Sequence, residues 1–145
     1  MKPLNLVVIL SALMFNIAAH AEDFNGDWNK LFAVVSNFVS SNPKLQAAIL
    51  RNFDAGSAGK CTVVAVAVMA DTMKGKKING QEAASWAMMM KFSEYATNDY
   101  RSKGTSQSSL DDIQSQYKNA ALSGGWPSLA SECTALMNTI ITQAN

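Results

Sequence analysis

Cys61-Thr62-Val63-Val64-Ala65-Val66-Ala67-Val68-Met69-Ala70-Asp71-Thr72-Met73 is the stretch on which the fold turns. Residues 61 to 70 are apolar apart from Thr62, and four valines give the run a β-branched character. A buried strand has this composition, and so does a helix that is hydrophobic all round and lies at the centre of a bundle. Length decides between them. The pattern continues through Thr72 and Met73 and stops at Lys74-Gly75, which outruns a typical strand of about 5–6 residues and ends as a helix ends. No second convincing strand exists to pair with it, and an unpaired buried strand would leave its backbone groups without partners. The stretch is therefore read as a central helix.

On its N-terminal side, Gly56-Ser57-Ala58-Gly59 reads as a short loop, with Gly56 stopping a preceding helix. That helix opens at Asn42-Pro43, a capping residue followed by proline at the first helical position, and carries Leu45, Ala48, Ile49 and Phe53 on one side. Before it, Trp28, Leu31, Phe32, Val35, Phe38 and Val39 recur at helical spacing and predict a helix over 27–40. On the C-terminal side, Lys74 to Lys77 forms a basic turn. Asn79 and Glu82 have the spacing of a capping box, with Ile78 placed as the staple residue, and predict a long helix over 80–100. Residues 102–109 read as a polar loop. Ser109 with Asp112 predicts the cap of a fifth helix bearing Leu110, Ile113 and Tyr117, which Gly124-Gly125 ends. Pro127 starts the last helix, in which Leu129, Cys133, Leu136, Met137, Ile140 and Ile141 face inward.

The first twenty-one residues form a separate unit. Lys2, an apolar run from Leu4 to Ala18 and the small-x-small site Ala19-His20-Ala21 predict a cleaved secretory signal peptide. Asn5, Ser11 and Asn16 interrupt the run, which is short for a membrane span of about 20 residues. Cleavage after Ala21 would remove His20, the chain's one histidine. It would also remove Lys2, leaving 11 of the 12 basic residues against 11 acidic ones. A mature chain with no net charge and scattered basic residues lacks the concentrated basic face of a nucleic-acid binder. The expected location is the periplasm or the medium beyond it, with no stable membrane anchor.

In an exported chain, the only two cysteines, Cys61 and Cys133, are most simply a disulfide. It would tie the central helix to the last one. The expected fold is thus all-α: a single compact bundle of five to six helices over residues 22–145, stapled by Cys61–Cys133.

Several patterns invite a chemical reading, and each has a plainer one. Ser41-Asn42-Pro43-Lys44 matches the Ser-x-x-Lys of serine β-lactamases and penicillin-binding proteins, but the companion elements are missing, and Lys103-Gly104-Thr105 runs in the wrong order. A turn and helix cap account for it. Asp23, Asn25 and Asp27 have calcium-loop spacing, yet Gly26 falls early and Val34 stands where the bidentate Glu belongs. Glu94 with Asp99, or Asp111 with Asp112, resemble paired hydrolase carboxylates, but on amphipathic helices they suit the solvated face. Met69 and Met73 share a helical face, and Met88-Met89-Met90 is a run. Thioethers bind Cu(I), but three successive methionines splay by about 100° each and cannot all ligate one ion, so core filling is the adopted reading.

No catalytic residue, metal ligand or cofactor is therefore assigned. The chain reads as a binding protein, most concretely a periplasmic inhibitor or immunity-type protein acting on another exported protein. Its expected partner surface is Trp86, Met89, Phe92 and Tyr95 on the long helix, with Trp126 on a nearby loop. A second expectation is a chaperone-like or small apolar-ligand-binding protein, with a groove between helices. A third is a histidine-free cell-wall hydrolase using Glu82 or Glu94.

Overall fold

The computed structural model describes residues 23–145; the signal segment, His20 and the expected cleavage point lie outside the described residues. Six α-helices follow one another: α1 (Trp28–Ser40), α2 (Pro43–Asn52), α3 (Ala55–Met73), α4 (Gly80–Ser102), α5 (Gln107–Ala120) and α6 (Trp126–Ala144). The decisive stretch 61–73 is helical throughout. Extended pairing among the described residues is a single bridge between Asp23 and Asn79, with Phe24 N–H donating to the Ile78 carbonyl at 2.9 Å. The fold is the all-α bundle expected from the sequence.

Side-chain caps set most of the helix starts, because the first N–H groups of a helix have no partner within it. The Asp27 carboxylate accepts from Lys30 N–H at 3.1 Å and opens α1. Asn42 accepts from Leu45 N–H at 3.0 Å ahead of Pro43. Asn79 accepts from Glu82 N–H at 2.8 Å, and Ile78 beside it is buried, as a staple residue should be.

Three boundaries differ from expectation. Residues 56–59 are not a loop but the opening of α3. The turn comes earlier, where Phe53 is buried with extended backbone and Asp54 caps α3 by accepting from Ser57 N–H at 2.7 Å. The chain bends by 105° between α2 and α3 at this point. Second, α5 is capped by Ser106, whose hydroxyl accepts from Ser109 N–H at 3.1 Å, rather than by Ser109 itself. Gly104, at φ +101, closes α4 abruptly, so the first serine after it takes the cap. Third, Gly124-Gly125 does not end a helix. Residues Ala121–Gly125 form a π-helical turn leading directly into α6. A Cβ on Gly125 would lie 2.9 Å from the Ala120 carbonyl oxygen, so a side chain there would crowd that turn.

Cys61 and Cys133 are disulfide-bonded, with Cα atoms 5.6 Å apart, and join α3 to α6. Both are fully buried and belong to the same core cluster as Phe53, Phe92, Ile49 and Ile140. The salt bridge from Lys60 Nζ to Glu132 Oε2, 2.6 Å, lies one residue before each cysteine and closes the same seam. α3 is central, packing against α4, α5 and α6. It is not covered all round, however: Val66 is 48% exposed. That gap positions the site described next.

Candidate functional site

α5 buries little. Leu110 is its one fully covered side chain, and Ile113 and Tyr117 are half-buried. Ile113 and Tyr117 dock α5 on the N-terminal half of α3. Gly59 is the contact point: a Cβ there would stand 2.5 Å from Ile113 Cγ2, so the missing side chain admits the isoleucine. Lys60 Nζ lies 5.8 Å from the centre of the Tyr117 ring and reinforces the same crossing.

Beyond the crossing the two helices leave a groove of about 690 Å³. Its α3 wall is Thr62, Val63, Val66, Ala67 and Ala70, followed by Asp71 and Lys74. Positions 63, 66, 67, 70 and 74 fall on one helical face, and the wall from Thr62 to Lys74 is roughly 18 Å long at the helical rise. The facing wall is Asp111, Gln114, Ser115 and Lys118 of α5, with Ala121 of the π turn. One side is therefore apolar and built of small or branched residues. The other is polar, and each wall carries one acid and one lysine. The Asp111 carboxylate already accepts from the Gln107 side-chain amide at 2.7 Å.

The residues expected to form a partner surface are separated. Phe92 is fully buried and Met89 is 3% exposed, so both belong to the core, which withdraws them from any surface patch. Trp86 and Tyr95 are half-buried. Trp86 and Met89 do come together, at a smaller cavity between α4 and α6. The side chain of Trp126 lies outside the described residues; its backbone begins α6 rather than standing on a loop.

The remaining candidates resolve into structural contacts. Ser41 Oγ donates to the Asn37 carbonyl at 2.9 Å, while Lys44 Nζ donates to the Asn145 carbonyl oxygen at 2.8 Å, so the pair does not form a dyad. Asn25 accepts from Asp27 N–H at 3.0 Å and Asp27 caps α1, which uses the apparent calcium spacing as a turn and cap. Glu94 pairs with Lys91 at 3.1 Å and Asp99 with Lys103 at 2.7 Å, both along one helix face. Asp112 is exposed in the first half of α5. Among the described residues, no three His, Cys, Asp or Glu side chains cluster as a metal site. Among the described residues the one carboxyl with a clear displacement, Asp54, is held below the usual range by the Ser57 backbone N–H that it accepts as the α3 cap.

No single helix among the described residues is long and apolar enough to cross a membrane. No family model matches the chain, and neither the curated proteins nor the solved structures contain a match.

The groove was hidden in the sequence by the very run that decided the fold. Continuous apolarity in α3 implied complete cover. The sign that cover is incomplete lies in α5, whose apolar residues stop at Tyr117 and cannot shield the half of α3 that follows Cys61.

Proposed function

We propose that this chain is an exported, non-enzymatic binding protein whose groove between α3 and α5 holds a small amphipathic molecule. The exposed α3 stripe centred on Val66 carries the reading. A volume of about 690 Å³ lies within the range of roughly 300–1,000 Å³ usual for small-molecule pockets. An apolar body would lie on Val63, Val66, Ala67 and Ala70. Polar groups along its other edge would meet Gln114 and Ser115, with Lys74 or Lys118 available to an anionic end. A disulfide-stapled core suits the oxidising surroundings this reading places it in.

A folded protein partner, as in the inhibitor reading, needs about 800 Å² and 20–30 residues on each side. The groove is smaller than that, and the α4 patch that would have enlarged such an interface is divided between core and half-buried positions. The small-ligand reading therefore takes precedence.

Titration of an environment-sensitive apolar fluorophore into the oxidised protein tests it. The fluorophore should brighten and saturate with the wild type. It should fail to do so with Val66→Asp, a substitution at a half-exposed position that should keep the wild-type circular dichroism. Equal brightening with both proteins, or none with the wild type, would remove the groove as the binding site.

A further inference from the structure

The smaller cavity between α4 and α6, about 120 Å³, is bordered by Met88, Met89 and Met137 together with Trp86. We propose that it is a binding site for a soft monovalent cation, Cu(I), held by the thioethers of these three methionines. Thioether sulfur is a soft donor that selects Cu(I) over the hard cations, which prefer oxygen. Both cysteines are consumed in the disulfide, so thioethers are the soft donors left to the folded domain.

The objection drawn from the sequence was geometric: three consecutive methionines on one helix cannot converge. The tertiary structure removes it. Met90 turns elsewhere, and Met137 of α6 takes its place opposite Met88 and Met89. Two long, unbranched side chains on adjacent positions can reach a point between them, and the third approaches from the facing helix. The three are only 3–6% exposed, which keeps competing water from the sulfurs. Ser85, Thr134 and Asn138 at the rim are exposed, so an ion can enter without the bundle opening. A bare cation is expensive to bury without donors around it. Three sulfurs and the π system of Trp86 answer that cost. No electron transfer or covalent step is involved: the ion enters and leaves as Cu(I). The site is on α4 and α6, apart from the α3–α5 groove, and does not depend on the function proposed for that groove.

The test uses the folded, oxidised protein and Ag(I), which mimics Cu(I) without its redox chemistry, in chloride-free buffer. Equilibrium dialysis should show one Ag(I) bound per chain. Titration into protein labelled with ¹³C at the methionine methyls should move the signals of Met88, Met89 and Met137 and leave those of Met69 and Met73 in place. Met137→Leu and Met89→Leu preserve side-chain volume and should retain the wild-type circular dichroism while losing the bound ion. Cu(I) delivered in competition with bicinchoninate should follow the same order. Absence of Ag(I) binding by the wild type overturns the proposal. So does binding that moves only Met69 or Met73, or binding that both leucine variants retain. Should a leucine variant unfold, the methyl shifts of the wild type decide the matter alone.

Discussion

Ile113 of α5 occupies the space that a side chain on Gly59 of α3 would fill: the absent Cβ would lie 2.5 Å from Ile113 Cγ2. The glycine sits inside a helix, where it costs about 1 kcal/mol relative to alanine. Its retention is explained by the helix crossing it permits. Because the groove opens just beyond that crossing, the seating of Ile113 sets the angle between the groove walls.

Gly59→Ala should therefore show two opposed effects. Better helix propensity contributes about 1 kcal/mol, while overpacking against Ile113 costs about 1–3 kcal/mol. The expected net change is a modest loss, read as a lower urea midpoint, with weakened fluorophore binding as α5 is pushed outward. A higher midpoint with unchanged binding would show that α5 is not seated through this contact. Pairing Gly59→Ala with Ile113→Ala should recover part of the overpacking, because alanine removes the Cγ2 that the new methyl would meet.

Much of this bundle was legible in the sequence. Helical spacing located the buried faces of α1 and α2, and Asn42 and Asn79 announced the caps of α2 and α4. Gly56 and Gly59 misled because glycine marks turns more often than helix–helix contacts, and the contact partner, Ile113, is distant in the chain. Ser109 was expected as the α5 cap and Ser106 holds that place; residue type could not separate them, since the two are chemically alike, and the geometry after Gly104 does. Phe92 and Met89 looked available because the apolar stripe of α4 is wide. What could not be read was that α1, α2 and α3 all press on that helix and cover most of it. Neither cavity was visible either, since each lies between two helices whose mutual placement depends on long-range packing.

The disulfide should carry a large part of the stability. It links positions 72 residues apart, for which the chain-entropy model gives roughly 4 kcal/mol. The double variant Cys61→Ala, Cys133→Ala puts no thiol or hydroxyl in place of the bond, and should lower the unfolding free energy by about 2–5 kcal/mol. Reduction of the wild type should produce a loss of the same order. A melting temperature indifferent to both treatments would mean that the seam between α3 and α6 is held by packing and by Lys60–Glu132 without help from the bond.

Ser93 is fully buried on α4, and its hydroxyl has no hydrogen-bond partner among the described residues. An unsatisfied buried donor costs about 1–3 kcal/mol. Ser93→Ala removes the hydroxyl and leaves only a small void, so the variant should be at least as stable as the wild type and up to about 1 kcal/mol more so. Differential scanning calorimetry of the two proteins is the check. A clear destabilisation would point to a partner for the hydroxyl, such as a buried water.

Asp54 couples the bend between α2 and α3 to pH. Its carboxylate accepts from Ser57 N–H at 2.7 Å, and that bond, strongest with the charged form, holds the acid below its ordinary value of 3.8. In the unfolded chain the group returns to the ordinary value. Between the two, the unfolded state binds more protons, so stability rises with pH across that interval. The contribution is fully present above the unfolded value near 3.8 and is lost as pH falls through the lower, folded one. Asp54 is exposed, which screens the electrostatic part, so the cap itself sets the scale: Asp54→Ala should cost about 1 kcal/mol at neutral pH. Asp54→Asn separates charge from capping. Asparagine caps about as well and does not titrate, so this variant should match the wild type near neutrality and lose less stability on acidification. Urea titrations of the three proteins at neutral pH and at successive pH values below 4 measure the difference. Identical acid sensitivity in the wild type and Asp54→Asn would place the acid response of the fold in other carboxylates and leave Asp54 as a cap alone.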